Sequence, residues 1–365
     1  MATRCRDKIQ PLPTGWAEQT GGINYLVTAH AKGGQNRINQ PRCHLKNGSR
    51  FVNTGIYRSV QLCHILTMTE IMHIFNRQAL RQHRDRAATA GLDQHDFLFR
   101  ESAERLTDRL ADISRLFPLA LDLGCHGGDI ARNLQGRGGI ETLIQSDLSR
   151  QMLNLATGVD TPIPSLGVLS DEEFLPFRDQ SFDLIISNLN LHWVNDLPGA
   201  LMQIRRALKP DGLFLAVMFG TETLYELRHS LSEAEVAIEG GLSPRVSPFA
   251  DLKTLGGLLQ RAGFNLPVAD TENIEVSYPN ALKLMADLRG MGESNAVADK
   301  RRHFTRRDTL MKACSIYQEQ FIDQNERVPA TFEMITLTAW APAPTQPKPL
   351  KPGTAKTSLA DFLDT

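Results

Sequence analysis

From Leu119 onward the chain alternates short apolar runs with segments of helical period, and this alternation restricts the fold more than any other feature. The first run, Leu119-Ala120-Leu121-Asp122-Leu123, follows Pro118 and stops at Gly124, so it reads as a short buried strand. Further strand-like stretches lie at 141–146, 166–169, 182–187, 213–219, 274–278 and 334–340. Helical periods fall between them at 149–156, 197–208, 222–239, 249–262 and 309–321. Strands separated by helices join as right-handed crossovers, which gives an α/β fold with a mostly parallel seven-stranded sheet and helices on both faces. Lys209-Pro210-Asp211-Gly212 reads as a turn between helix and strand. Ahead of the first strand, Phe99, Ala103, Leu106, Leu110, Ile113 and Phe117 recur every three or four residues, so one helix is expected to run as far as Pro118.

The flanks differ from this central unit. Residues 1–67 hold nine Lys and Arg against only Asp7 and Glu18, with no sustained period, and are expected to be disordered. The segment reads as a stretch ahead of the real start (Met68 or Met72), the alternative being a basic, acid-poor transit peptide. Residues 68–96 are expected to form an N-terminal helical cap. Its basic run Arg77, Arg81, Arg84, Arg86 reads first as a solvated face and second as a helix closing over a cleft. The main domain is placed at 97–340, and 341–365, with five prolines by Pro352, reads as a flexible tail.

Composition narrows the function classes. A formal net charge of −1 supplies no field that would draw nucleic acid or an anionic membrane. The apolar run Leu213–Phe219 is far too short to span a bilayer. The five cysteines lie far apart, without disulfide or zinc spacing, which suits a reducing compartment. No metal site is expected, since His73, His83, His95 and His303 are scattered. The leader makes a poor transit peptide, so the bacterial cytosol is the expected location, with the mitochondrial matrix as the alternative.

In an open parallel sheet, ligands bind beyond the carboxyl ends of the strands. Asp122-Leu-Gly-Cys-His-Gly-Gly-Asp129 is a glycine-rich turn at the end of the first strand, where backbone N–H groups can approach a ligand. Asp147 ends the second strand, placed to accept both hydroxyls of a ribose; the plainer reading is a helix start. Asp171, beside Glu172, follows the third strand and can accept from an exocyclic amine. These acids, in order at successive strand ends, point to a nucleoside.

The strings Leu-Asp-Leu-Gly, Asp-Glu-Glu-Phe-Leu-Pro-Phe, Phe-Asp-Leu-Ile-Ile-Ser and Leu-Lys-Pro-Asp-Gly resemble class I S-adenosylmethionine methyltransferases, which implies their Rossmann-like fold. Leu191-His-Trp-Val-Asn-Asp-Leu197, Thr223-Leu-Tyr-Glu-Leu-Arg228 and Arg289-Gly-Met-Gly-Glu-Ser-Asn295 are similar to the methyltransferase-like assembly factor of respiratory complex I and its bacterial relatives. The likeness runs from about Ile74 to Trp340, and extends more distantly to the methyltransferase of malonyl carrier protein. It implies S-adenosyl-L-methionine as cofactor, held by Asp122, Gly124, His126, Gly128, Asp147, Asp171, Glu172 and Asn188. It also implies a protein or carrier-bound substrate, a complex I subunit as a possible partner, and methyl transfer as the main reaction. Arginine hydroxylation and a non-catalytic assembly chaperone are the alternatives. One departure is His126, where the family pattern has glycine; the expectation is that the loop re-routes and the imidazole points to solvent.

Methyl transfer from a sulfonium needs alignment and exclusion of water more than chemical help. His192 is the candidate base or orienting group, Asn188 faces the same place, and Arg228 and Arg289 are candidates to grip an anionic group. Packing of His192 and a surface ion pair of Arg228 with Glu226 or Glu222 are the plainer readings. Trp193 is expected to be buried.

Overall fold

The computed structural model describes residues 73–301 and 303–347, so the expectations for residues 1–67 and for the tail beyond 347 lie outside the described residues. The chain begins with α1 (Arg77–Ala90) and α2 (Phe97–Asp108). Next come β1 (Leu119–Leu123), α3 (Asp129–Leu134), β2 (Thr142–Asp147), α4 (Arg150–Thr157), β3 (Ser165–Leu169), β4 (Phe182–Asn188) and α5 (Leu197–Ala207). The last part is β5 (Leu208–Phe219), α6 (Tyr225–Glu239), α7 (Leu252–Arg261), β6 (Asn265–Tyr278), α8 (Ala281–Met291), α9 (Arg307–Phe321) and β7 (Val328–Trp340).

The seven strands form one sheet in the order β3-β2-β1-β4-β5-β7-β6. β1 to β5 run parallel, and β7 enters antiparallel between β5 and β6. This is the Rossmann-like fold of class I methyltransferases. Strand periodicity explains its two cores. Leu184, Ile186, Leu213 and Leu215 face the layer that holds Phe99, Leu106, Leu227 and Tyr317. Ile185, Phe214, Ala216 and Met218 face the opposite layer with Leu201, Ile204, Leu255 and Leu259. Strands buried on both faces read as continuous apolar runs, which is why the sequence marks them.

Three local expectations are corrected. The helix that starts at Phe97 ends at Asp108, well short of Pro118. Leu110 and Phe117 are still buried, because turns after the helix deliver them to the same core, so the apolar spacing outlasts the helix. Lys209–Gly212 does not separate helix from strand. It is a bulge inside β5, since Phe182 pairs with Leu208 and Leu184 with Leu213. Asp211 takes a positive φ of 65° there, and a bulge accepts Pro210 because it needs no ladder N–H. The start of the tail is pinned, with Gln346 Nε2 donating to Asp211 Oδ1 at 2.9 Å and to Ala341 O at 2.9 Å.

Candidate functional site

Four strand ends converge on a buried polar cluster. Asp122, Asp147, Glu172 and Asn188 are all nearly inaccessible to solvent. Asp147 accepts the backbone N–H of His126 at 3.2 Å and that of Ser149 at 2.7 Å, while Ser149 itself caps α4. Its carboxyl is pushed upward by burial, against the opposing charge of Arg84. Burial, with Asp129 and Asp147 adding to it, raises the Asp122 carboxyl well above its ordinary range. Neither Asp122 oxygen has a hydrogen-bond partner among the described residues, nor has Glu172 Oε1, nor either end of the Gln145 amide.

The basic run of α1 is not a solvated face throughout. Arg84 is completely buried; its Nη2 donates to Asn190 Oδ1 at 2.5 Å, and its Nη1 lies 3.6 Å from both Asp147 Oδ1 and Glu172 Oε1. Arg77 Nη2 donates to Asp171 Oδ1 at 2.6 Å and also pairs with Glu172. Burial works against the Glu172 charge, but Arg77 and Arg84 together hold its carboxyl below the usual value. The structure thus brings Asp147, Asp171 and Glu172 together and seals them beneath α1 with two guanidinium groups. A buried charge requires such pairing, and this fixes the helix on the strand ends. Lengths add to it: Asn76 N donates to Ala296 O at 2.7 Å and Ala298 N to Ile74 O at 2.8 Å, so the helix entrance is clamped as well.

His126 does not point to solvent. Its backbone has a positive φ of 45°, and its ring lies stacked on Phe99 with centroids 4.2 Å apart. Nε2 donates to Asn188 O at 3.1 Å and is 3.3 Å from Leu189 O, and the buried Nδ1 has no partner among the described residues. Gly127 and Gly128 do not turn the imidazole outward, because α2 offers it an aromatic face and the end of β4 two carbonyl acceptors. Burial, reinforced by Arg84, lowers its pKa to about 3, so the ring is neutral at pH 7. Gly124 is required by a different contact. At φ +78°, an added Cβ would stand 2.1 Å from the Asn190 side chain that receives Arg84. Gly124→Ala is therefore expected to lower stability by at least about 1–2 kcal/mol from the left-handed backbone alone. Urea unfolding checks this, and an unchanged midpoint would contradict the close approach.

The remaining candidates separate. Asn188 spends its amide on α2: Oδ1 accepts Ser102 Oγ at 2.6 Å and Nδ2 donates to Phe99 O at 2.8 Å. Arg228 makes no ion pair with Glu222 or Glu226. It donates to Thr221 O at 3.1 Å and Thr223 O at 2.8 Å, holding the loop between β5 and α6. The Glu226 carboxylate is instead taken by Thr331. His192, in the short turn Leu191–Trp193 after β4, is buried against Phe219 and Phe249. His192 Nε2 lies 3.2 Å from Glu293 Oε2, and Trp193 Nε1 donates to the same oxygen at 2.7 Å.

Glu293 was not singled out from the sequence. A lone acid in Gly-Met-Gly-Glu-Ser-Asn carries no periodic signal, and its partners lie about 100 positions earlier. Burial raises its carboxyl, but the His192 hydrogen bond, helped by the charges around it, outweighs burial and holds it below the ordinary value. Its other oxygen, Oε1, has no partner among the described residues. Glu293 lines a cavity of about 270 Å³ walled mainly by apolar side chains, including Trp193, Phe219, Leu227, Phe249 and Phe332. It is the only carboxylate in that lining among the described residues.

Residues 121–216, from β1 into β5, match the family model described as a methyltransferase domain. The chain is 45% identical over 293 residues to the mitochondrial arginine-hydroxylase NDUFAF5 of Danio rerio, covering 80% of this chain and 90% of that one. The Homo sapiens protein of the same name is 45% identical over 297 residues, covering 81% and 85%. A malonyl-[acyl-carrier protein] O-methyltransferase of Methylovorus is 33% identical over 283 residues, covering 75% and 92%. Among solved structures, the YcgJ protein of Bacillus is similar at 18% identity with a TM-score of 0.46, covering 65% and 98%. On its seven-stranded fold and its likeness along most of both chains, this protein belongs to the methyltransferase-domain family of the NDUFAF5 arginine hydroxylases, with malonyl-carrier methyltransferases as more distant members.

Proposed function

We propose that the chain is an S-adenosylmethionine-dependent enzyme that modifies a basic side chain of a protein partner, in the setting of respiratory complex I assembly. The observation that carries this reading is the apolar cavity whose single carboxylate, Glu293, keeps one oxygen unpartnered among the described residues. Apolar walls suit the methylenes of an arginine or lysine, and a buried carboxylate suits the charged head. A malonyl group would bring a second carboxylate against Glu293, so the protein substrate is favoured over the carrier-bound one.

By residue type and place, the strand ends carry groups that would hold the cofactor, although here α1 covers them. Asp122 with two unpartnered oxygens suits an α-amino group, Asp147 a ribose, and Asp171 with Glu172 an exocyclic amine. Glycines at 124 and 128, both at positive φ, let the turn pack closely on Asn190 and Ala156, which shapes the loop that would face the cofactor. Bound there, S-adenosylmethionine supplies an activated methyl on a sulfonium. The chain's own work is to hold the acceptor with Glu293, to exclude water with Phe219, Phe249 and Trp193, and to hold a proton at His192. His192 is suited to that task because its Nδ1 is free of partners among the described residues. Asn188 and Arg228 act as positioning residues, since their polar atoms are committed to α2 and to the loop after β5.

Hydroxylation is the second reading, favoured by the name that the relatives at 45% identity carry. Those relatives are mitochondrial by name, which supports the matrix as the alternative to a bacterial cytosol. No described helix is long and apolar enough to cross a membrane. Two measurements test the proposal. Calorimetric titration with S-adenosylmethionine is expected to give binding, and a folded protein that binds none would overturn the cofactor assignment. The partner recovered after incubation is expected to gain about 14 mass units for methyl transfer, against about 16 for hydroxylation. No gain with stoichiometric binding would favour the assembly chaperone.

A further inference from the structure

Next to the apolar cavity lies a second one of about 390 Å³ with a different lining. Arg86 of α1, Arg289 at the end of α8, and Arg245, Lys300 and Arg301 from the intervening loops all border it. Its cations fall into two groups. Arg245 and Arg301 are neutralised by Glu235 and Glu239 on α6, with Arg245 Nη2 at 2.8 Å from Glu235 Oε1. Arg86, Arg289 and Lys300 form no salt bridge with any described carboxylate. Lys300 Nζ donates to Asn295 O at 2.7 Å, which satisfies one hydrogen but not its charge.

Three cations facing one cavity without a counter-charge repel one another, and the fold gains nothing from the arrangement. The repulsion shows in the groups themselves. Burial, with Arg289 close by, lowers Arg86; burial, with Arg86 close by, lowers Lys300. His83, whose Nδ1 donates to Ser294 O at 3.1 Å, is pushed down to about 4 by burial, Lys300 and Arg86, and so adds no charge at pH 7. An anion entering the pocket would relieve all three cations at once.

The two cavities are neighbours, sharing Arg245, Ser294, Asn295 and Thr305 in their walls. A ligand that occupies both meets three cations unpaired among the described residues on one side, and apolar walls with the carboxylate of Glu293 on the other. We propose that the basic pocket binds the carboxylate of an acidic residue in the substrate protein, adjacent to the basic residue whose side chain enters the apolar cavity. The inference rests on the protein-substrate reading above. Opposite charges at the two ends make the recognition directional: a peptide with both ends basic or both acidic meets a like charge at one of them.

The test uses the full chain and fluorescent peptides in anisotropy titrations. The first peptide carries one arginine flanked by aspartates, the second has asparagines for the aspartates, and the third keeps the aspartates but has citrulline for arginine. The aspartate peptide is expected to bind about tenfold tighter than the asparagine peptide at low salt, as a charge-assisted contact would give. In the variant Arg289→Gln with Lys300→Gln that advantage is expected to vanish, while the asparagine peptide binds as before. Arg289→Lys with Lys300→Arg is expected to restore it, and thermal melts check that each variant is folded. Equal binding of the first two peptides, or no binding of the aspartate peptide, overturns the proposal. So does inorganic phosphate binding as tightly as that peptide, since the anion would then need no protein. If the citrulline peptide still shows the variant-sensitive advantage, the anion pocket stands and only the basic-side-chain reading of Glu293 fails.

Discussion

Arg84→Ala is expected to destabilise the protein by about 3–5 kcal/mol, the usual cost of removing one partner from a buried charge network. Arg84 is fully buried, and its removal leaves Asp147 without a cation and Glu172 with Arg77 alone, in a space that water does not reach. Asn190 loses its donor at the same time. Arg84→Met is expected to do no better, because volume is restored while Asp147 stays uncompensated. Combining Arg84→Met with Asp147→Asn and Glu172→Gln should recover much of the loss, since the charges then disappear together. Urea unfolding followed by circular dichroism reads these effects as shifts in midpoint at constant slope. A loss below about 1 kcal/mol for Arg84→Ala would mean that α1 does not seal the strand ends in solution, as an exposed ion pair contributes only that much.

The second large effect concerns acid. His126 has its pKa lowered to about 3, chiefly by burial, while an unfolded imidazole titrates near its ordinary 6.5. Below 6.5 the unfolded chain takes up a proton that the folded chain refuses. The stability contributed by the neutral ring is therefore complete above about pH 6.5 and is lost as pH falls toward 3. Between pH 6.5 and 4 the loss amounts to about 3 kcal/mol. Carboxyls raised by burial work in the opposite sense. Asp129, raised to about 6, contributes stability at low pH that fades as pH rises through 6. The acid limb of the whole protein thus mixes both signs, and comparison with His126→Gly isolates the histidine. The difference in unfolding free energy between the two proteins should move in favour of the variant by about 3 kcal/mol from pH 6.5 to pH 4. A difference that stays constant across that range would show the imidazole to be exposed.

The strands of the parallel sheet were legible in the sequence because burial on both faces leaves an uninterrupted apolar run, as in Leu213–Phe219. β6 was legible only from Ile274 onward. It begins at Asn265, on the edge of the sheet, where none of residues 265–273 is buried and Asp270, Glu272 and Asn273 interrupt the apolar signal. α8 was not foreseen, although Leu284, Leu288 and Met291 have helical spacing. The acids at the strand ends could be named because a strand followed by a turn places its last residue at a known edge. What covers them could not. Arg84 and a surface arginine look alike in sequence, and only a fold that brings α1 onto Asp147 and Glu172 tells them apart. Pattern likewise gives a histidine its position but not its direction, which for His126 was decided by Phe99 and two carbonyls.

The seal made by α1 has a consequence in time. The helix leaves the ribosome before the groups that hold it: Asn190 follows Arg84 by 106 residues, and Ser294 follows His83 by 211. At about 5–20 residues per second, Arg84 waits roughly 5–20 s for its acceptor and about twice as long for the clamp at Ala296. Until Asp147, Asp171 and Glu172 have been made, the nascent chain carries a helix whose two arginines lack their strand-end acids, and those acids then wait for the clamp. A chain stopped short of residue 290 would hold every nucleoside acid and most of the sheet, yet lack both the clamp and Glu293.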